Sequence, residues 1–425
     1  MNAKEDSLAV ATTGSHDQRP ALHPRWIRIN TVRTTLDEQL RTTFAEYERS
    51  SSLSQVLRST SQILHVDEHI PNLIAVPSDI DITSTQAYRS GQLILQDKAS
   101  CFPAYLLDPE AGTGDVIDAC AAPGNKTTHL AAILNSKAER NGELPTKVIA
   151  CEKDVVRSQT LEKMVKIAGG DKIISIKAKQ DFTKLDPEAK ELANVTALLL
   201  DPSCSGSGIV GRHDGAVTVH LPRMEVDQPA ARGKKRKRVN AQPVAPLTEA
   251  AVEEEAPEST VNESDEKLKA RLTNLSSFQL RLLQHAMRFP AARRITYSTC
   301  STHAEENEHV TMKALCSDIA RERGWRTLKR KDQIEGMRQW ERRGDPDACR
   351  VIFDGSVTGT DPEEVADACI RCEKGSDEGT MGFFVVGFAR DPSAPAVNVN
   401  GASIFRHEVH SKKEAEDSEW EGFDD

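Results

Sequence analysis

Between residues 116 and 200 short apolar runs alternate with helical stretches, and this alternation constrains the fold more than any other feature of the chain. The periodicity predicts strands over 116–120, 148–151, 173–176 and 195–200, with helices over 126–134 and 155–168 between them. Strands joined by helical crossovers must pair in parallel, because a crossover returns the chain to the same end of the sheet. Such a sheet is covered by helices on both faces, so its strands read as continuous apolar runs rather than alternating ones. The expected class is therefore α/β, a doubly wound, mostly parallel sheet. Two of the runs end abruptly in small polar residues and one cysteine: Leu198-Leu199-Leu200-Asp201-Pro202-Ser203-Cys204-Ser205-Gly206 and Ile295-Thr296-Tyr297-Ser298-Thr299-Cys300-Ser301. In open α/β sheets ligands bind at the carboxyl edge, so this pattern delivers two thiols to one site.

The rest of the chain is organised around that unit. Residues 1–22 are polar and expected to be disordered. A strand at Trp26-Ile27-Arg28-Ile29-Asn30 and a helix beginning near Thr35 open a small α+β subdomain, which is expected to span 23–110 and to contain apolar runs at 73–76 and 93–95. A catalytic domain over 111–391 follows. It is interrupted at 223–265 by a polar stretch without periodicity, which reads as a disordered insertion. A helix is predicted over 268–289, a strand over 294–298 and a helix over 305–319. The runs 351–353 and 382–388 are expected to close the sheet as an antiparallel pair, and 392–425 reads as a disordered acidic tail.

Composition excludes some functions. No apolar run approaches the roughly 18 residues of a membrane span. The start of the chain lacks an apolar signal-peptide core, so export is not expected. Nine cysteines, an odd number in no regular spacing, fit a reducing compartment better than a disulfide framework. The net charge of −10 is concentrated in the segments read as disordered, so it says little about the folded surface. Within the insertion, Arg232-Gly233-Lys234-Lys235-Arg236-Lys237-Arg238 reads as a nuclear or nucleolar address, as an electrostatic arm for RNA, or as a plain solvated charge run. Arg25, Arg28, Arg33 and Arg41 with Trp26 offer charge and stacking for single-stranded RNA; equally, Trp26 fits a core position beneath the N-terminal subdomain.

The loop Ala121-Ala122-Pro123-Gly124-Asn125-Lys126-Thr127 after the first strand joins small residues to a helix start, whose free N–H groups face any ligand. It is neither G-x-G-x-x-G nor a Walker A loop, which disfavours a dinucleotide or ATP. Glu152 at the end of the second strand is placed to hold a ribose diol. The alternative is a tight turn with a surface glutamate.

Together these segments resemble the Sun-domain (RsmB/NOP-type) family of RNA cytosine-C5 methyltransferases. Asp118-Ala119-Cys120-Ala121-Ala122-Pro123-Gly124-Asn125-Lys126-Thr127 is similar to motif I of the family, Asp201-Pro202-Ser203-Cys204-Ser205-Gly206 to motif IV, and Tyr297-Ser298-Thr299-Cys300-Ser301 to motif VI. Gln96-Asp97-Lys98-Ala99-Ser100 and Glu305-Glu306-Asn307-Glu308 resemble two flanking segments, and the match runs in order over about residues 25–390. Asn125 and the Ser-Gly-Ser-Gly after Cys204 resemble the subgroup that methylates large-subunit ribosomal RNA.

The resemblance implies a Rossmann-like methyltransferase fold with a seven-stranded sheet, S-adenosyl-L-methionine as cofactor and RNA as partner. Membership also implies a nuclear, in particular nucleolar, setting; a monomer is expected. By matching position, Cys120, Ala121, Ala122, Pro123, Gly124, Asn125 and Lys126 would cradle the methionine part of the cofactor. Glu152 would hold the ribose, Arg157 would lie on the adenine side, and Asp181 would lie near the adenine amino group, with Asp201 at the same site. Cys300 is implied as the nucleophile that adds to cytosine C6, Cys204 as the group that assists release, and Asp201 as a hydrogen-bond partner of the base edge. A DNA cytosine methyltransferase would carry its nucleophile directly after the motif IV proline, where this chain has Ser203. A non-catalytic ribosome-assembly factor retaining the fold is the alternative, and retention of Asp201, Cys204 and Cys300 weighs against it. The remaining cysteines, including Cys120, Cys151, Cys316 and Cys349, are expected to pack as small hydrophobes. Cys369-Ile370-Arg371-Cys372 is an isolated C-x-x-C, and no metal is expected there. Eukaryotic members carry a longer helical N-terminal extension than the residues before Arg25. Docking is therefore expected to use other parts of the chain or residues outside this sequence.

Overall fold

The computed structural model describes residues 23–143, 146–209, 218–219, 252–253, 265–353 and 360–390. The segments read as disordered, 1–22, most of 223–265 and 392–425, lie outside the described residues, as does the basic cluster 232–238; Asp265 itself begins a helix.

The N-terminal unit is a five-stranded sheet in the order β2-β3-β4-β1-β5. Its strands are β1 (Arg25–Ile29), β2 (Glu48–Ser50), β3 (Ile63–Val66), β4 (Leu73–Val76) and β5 (Leu93–Leu95). Three short helices, α1 (Leu36–Arg41), α2 (Leu53–Arg58) and α3 (Gln86–Arg89), connect them. Thr35 caps α1 by accepting the Glu38 N–H, as the sequence reading places it. The period-2 alternation of β1 splits its side chains. Ile27 and Ile29 join Leu64, Ile74 and Val76 in one cluster, whereas Trp26 packs with Ala99, Phe102 and Trp340 in another, toward the larger domain.

That second cluster gives Trp26 the core position the sequence also allowed, and turns Arg28 and Arg33 inward from the RNA-facing reading, whereas Arg41 is exposed. Trp26 is buried and its indole N–H donates to Gly379 O at 2.7 Å. Arg28 is also buried. Its guanidinium donates to Gln96 Oε1 at 2.7 Å and Thr128 Oγ1 at 2.9 Å, which pins the small sheet to the helix that follows the motif I loop. Arg33 donates to Ile167 O and Lys166 O at a helix C-terminus, where the helix dipole favours a cation. These side chains hold the two units together.

The larger sheet runs β13-β15-β12-β9-β6-β7-β8, with β14 paired to β15 off this path. Its strands are β6 (Asp115–Asp118), β7 (Val148–Glu152), β8 (Ile174–Ala178), β9 (Val195–Leu200), β12 (Arg294–Thr299), β13 (Arg326–Thr327), β14 (Ile370–Cys372) and β15 (Phe383–Ala389). A two-residue antiparallel pair, β10 (Thr218–Val219) and β11 (Val252–Glu253), lies apart from it. Five consecutive strands, from the edge strand β8 through β7, β6 and β9 to β12, are all parallel, and β15 enters antiparallel to β12.

Helices cover both faces, as the continuous apolar strands require. On one face α4 (Lys98–Leu107), α5 (Asn125–Asn141) and α6 (Val155–Ala168) bury Leu107, Leu130, Leu134, Leu161 and Val165 against Val116, Val148, Ala197 and Leu199. On the other, α7 (Asp265–Ala286) and α8 (Glu308–Leu315) bury Leu282, Leu283 and Val310 against Ile117, Leu198, Leu200 and Ile295. Strand β9 thus sends Leu198 and Leu200 to one face and Ala197 and Leu199 to the other. Helix α4, placed by sequence in the N-terminal region, packs on the large sheet instead.

Two sequence-based expectations fail here. The run 351–353 is not a strand: Val351 ends the helix Pro346–Ile352 and is 73% exposed. Strand β15 instead pairs with β12, which the sequence predicts, and with β13 and β14, which are too short to show in pattern reading. The helix expected over 305–319 is broken into a 3-10 turn (Ala304–Glu306), α8 and a further helix, Asp318–Arg323. Ser317 caps the last of these, and a capping serine within an apolar stretch is a competing start signal.

Candidate active site

The strand order reverses between β6 and β9, and there the carboxyl-end loops of β6, β7, β9 and β12 surround one cleft of about 890 Å³. Its lining includes Cys120, Ala121, Ala122, Pro123, Asn125, Lys126, Glu152, Arg157, Asp181, Asp201, Cys204 and Cys300. Gly124, the remaining expected site residue, caps α5 with φ +114°. A Cβ at Gly124 would also lie 2.9 Å from Met164 Cγ, so glycine is required for both conformation and space.

The loop after β6 is held from within. Asp118 is fully buried; its carboxylate accepts from Thr127 Oγ1 at 2.7 Å and from the Cys120 N–H at 3.3 Å. Burial raises its pKa to about 7, against the lowering effect of the Thr127 hydroxyl. Glu152 accepts from the Ala122 N–H at 3.3 Å and the Asp154 N–H at 2.9 Å, which ties the ends of β6 and β7 together. Arg157 donates to Ala122 O at 2.8 Å. Asp181 caps a 3-10 turn by accepting from the Thr183 N–H and hydroxyl. Asn125 Oδ1 is buried and has no hydrogen-bond partner within the protein. An orphaned acceptor and a carboxylate beside a cleft lined by small residues suit a ligand that brings hydroxyl and amino donors, as a nucleoside does.

The second half of the cleft carries the reactive groups. Cys204 follows β9 and Cys300 follows β12; these strands are parallel neighbours with Leu200 opposite Tyr297. Their sulfurs therefore meet, 3.1 Å apart. The Cys300 sulfur, and then burial, push the Cys204 thiol well above the usual thiol range. Asp201 receives Ser298 Oγ at 2.6 Å on one oxygen and Lys126 Nζ at 2.8 Å on the other. Burial works against the Lys126 charge, but the Asp201 carboxylate more than offsets it and raises the ammonium pKa. Lys126 also donates to Ser100 Oγ at 3.0 Å. The lysine therefore bridges the motif I loop, the segment 96–100 and Asp201, a link its assignment to the cofactor loop alone does not anticipate.

Beneath the thiols Gly208 donates its N–H to Cys300 O at 2.9 Å and accepts from the Gly382 N–H at 2.9 Å. A Cβ at Gly208 would lie 2.2 Å from Gly382 O, so only glycine allows this approach. Sequence reasoning missed Gln279, Ser298 and the roles of Glu306 and Asn307, all of which contact these loops. A signal for Gln279 was present: it is a polar residue within the apolar stripe of α7.

A doubly wound sheet of this order, with its cleft at the reversal point and a glycine-capped helix facing it, is a nucleoside-ligand architecture, and the family match places it in the methyltransferase class. Residues 104–242 match the model of the 16S rRNA methyltransferases RsmB/F, and residues 23–96 match the ferredoxin-like domain of NOL1/NOP2/Sun domain family member 5. The chain is 36% identical over 391 residues to the 25S rRNA (cytosine-C(5))-methyltransferase rcm1 of Schizosaccharomyces pombe, covering 91% of this chain and 68% of that one. It is 35% identical over 296 residues to a 28S rRNA (cytosine-C(5))-methyltransferase of Mus musculus, covering 69% of this chain and 52% of that one. This chain belongs to the Sun-domain family of RNA cytosine-C5 methyltransferases. It spans about two thirds of the fission-yeast relative and about half of the mouse one. Among solved structures, a methyltransferase homologue from Pyrococcus horikoshii shares the fold with a TM-score of 0.54 at 18% identity, covering 87% of each chain.

Proposed function

We propose that this chain methylates C5 of a cytosine in large-subunit ribosomal RNA, with S-adenosyl-L-methionine as methyl donor, and that it works in the nucleus, at the nucleolus. The observation that carries this reading is the 3.1 Å apposition of the Cys204 and Cys300 sulfurs beside the Asp201–Lys126 pair. The names of the curated relatives support the reaction and the substrate class.

The half of the cleft from Cys120 to Lys126, with Glu152, Arg157 and Asp181, is assigned to the cofactor. Glu152 retains unused lone pairs for a ribose diol, Arg157 and Asp181 bound the adenine side, and Asn125 Oδ1 offers a free acceptor. When bound, that cofactor supplies the methyl group as an electrophilic sulfonium methyl.

The other half is assigned to the base. Cytosine C5 is a weak nucleophile, and covalent addition at C6 activates it. Cys300 Sγ bonds to C6, and the C5–C6 π pair moves onto C5, which takes the methyl group. The C5 proton then leaves to solvent, the C5–H pair restores the double bond, and the C6–S pair returns to Cys300. Asp201, fixed by Lys126 and Ser298, hydrogen-bonds the base edge while charge builds on the ring. Cys204 stays a thiol and donates to the departing Cys300 sulfur, which eases release.

The direct test is bisulfite sequencing of large-subunit ribosomal RNA from cells with and without the gene. Loss of one cytosine signal, restored by the wild-type gene but not by Cys300→Ala, supports the proposal. An unchanged methylation map contradicts it.

A further inference from the structure

Glu306 and Asn307 follow Cys300 in sequence, are fully buried and do not line the cleft, so neither touches a substrate. Each nonetheless brackets one of the reactive thiols. Glu306 accepts the Ser205 N–H with Oε1 at 3.0 Å and Oε2 at 3.3 Å, and accepts Gln279 Nε2 at 2.9 Å. The same Gln279 amide donates to Ser203 O at 3.0 Å. The peptide groups on both sides of Cys204 are thus held by one Glu–Gln pair. Asn307 accepts Thr299 Oγ1 at 2.6 Å and donates to Ser301 O at 2.9 Å, and so holds both neighbours of Cys300. Tyr297 OH donates to Glu306 O at 2.6 Å, which anchors the pair to β12.

Among the described residues both donors to Glu306, a backbone N–H and an amide, reach the same oxygen, Oε1, so the contact depends on the length of the side chain rather than on its charge.

We propose that Glu306 and Asn307 form a clamp that sets the spacing of the two thiols, Glu306 through the Cys204 loop and Asn307 through the Cys300 loop. They are positioning residues. Because they are adjacent in the chain, a shift of one loop relative to the other is resisted by a single peptide unit. The sulfur spacing is then fixed by this pair rather than by the separate ends of β9 and β12. The consequences for catalysis rest on the thiol roles proposed above; the spacing itself does not.

The test uses the full chain carrying Glu306→Asp, Glu306→Gln or Asn307→Ala, with Cys204→Ala and Cys300→Ala as controls. Two quantities are read: the rate at which diamide, which takes up the two thiol hydrogens, converts Cys204 and Cys300 to a disulfide, and the fraction of protein trapped on RNA under denaturing conditions. Glu306→Asp keeps the charge but withdraws the carboxylate by one methylene. Because ångström-scale misplacement costs reactive pairs heavily, its disulfide rate should fall by about tenfold or more, with RNA adduct accumulating as in Cys204→Ala. Glu306→Gln keeps the reach and should restore both to within about threefold of wild type. Asn307→Ala should slow the disulfide and trap no RNA, because the nucleophile itself is misplaced. Opposite trapping by adjacent residues is not what loss of stability alone produces. Wild-type disulfide rates in Glu306→Asp and Asn307→Ala would overturn the clamp, as would a Gln variant as defective as the Asp variant. If Glu306→Asp fails to fold by circular dichroism, the Gln and Asn307→Ala variants decide. If Cys204→Ala does not trap RNA, the assignment of thiol roles fails, and the disulfide rate still judges the clamp.

Discussion

Cys204 and Cys300 are 96 residues apart in sequence, and their sulfurs lie 3.1 Å apart in the fold. Each follows a parallel strand, β9 or β12, and the strands are neighbours, so the sheet delivers both thiols to the same edge while the loops that carry them set the spacing. Two thiols this close titrate as a pair, giving up their protons in two separated steps. The Cys300 sulfur and burial push the Cys204 thiol well above its usual range, which disfavours the Cys204 thiolate. Limited iodoacetamide treatment followed by mass spectrometry should therefore modify Cys300 before Cys204, and modification should slow as pH falls and the pair becomes fully protonated. Preferential labelling of Cys204 would reverse the assignment.

The Lys126–Asp201 pair should matter for chemistry more than for cofactor binding. Lys126→Met keeps the stem but leaves Asp201 without its 2.8 Å partner. Loss of one charge-stabilising contact of this kind lowers turnover by about a hundredfold. Steady-state kinetics should show that loss in kcat, while calorimetry finds a smaller loss of S-adenosylmethionine affinity. A defect confined to cofactor affinity would return Lys126 to the cofactor loop alone.

On the proposed ribose assignment, cofactor binding without RNA should depend on Glu152. Removing hydrogen bonds to a charged acceptor costs about 1.5–3 kcal/mol, so Glu152→Ala should weaken S-adenosylmethionine binding by roughly tenfold to a hundredfold in calorimetry. Unaltered affinity would remove the ribose assignment.

Asp118 ties the fold to pH. Burial raises its pKa from 3.8 to about 7. The folded state therefore holds a proton that the unfolded state has already lost between these values. Stability contributed by the protonated form is complete below about pH 4 and declines as pH rises to about 7, by at most about 4 kcal/mol. Asp118→Asn should flatten that part of the stability curve, measured by urea unfolding at several pH values. An unchanged slope would show that Asp118 ionises normally in the fold.

Much of the architecture was readable because the strongest local signals agree. Val155–Ala168 has an Asp154 cap at one end and Gly169 at the other, and the strand Val195–Leu200 ends in four consecutive buried apolar residues from Ala197 that face both sides of the sheet. The strands β2, β13 and β14 were not readable, because each is two or three residues long and carries exposed or half-buried polar side chains. The expected site residues do converge on one cleft, since strand ends carry them. The support beneath them was hidden for a different reason. Arg28, Trp26, Glu306 and Asn307 look like surface chemistry in sequence, yet they are buried; Trp26, Arg28 and Glu306 bond partners far away along the chain, and Asn307 bonds the neighbours of Cys300. Polarity alone does not say whether a side chain meets water or a distant backbone group.

The division of labour between the thiols is the centre of the account, and RNA trapping tests it directly. Target RNA is incubated with S-adenosylmethionine and wild type, Cys300→Ala, Cys204→Ala or the double variant, and covalent complexes are resolved on a denaturing gel. Cys204→Ala should accumulate a stable protein–RNA adduct, whereas Cys300→Ala and the double variant should form none and be inactive. Trapping by Cys300→Ala but not Cys204→Ala would mean that the two roles are exchanged, and no trapping by either alongside an active wild type would contradict the release role of Cys204.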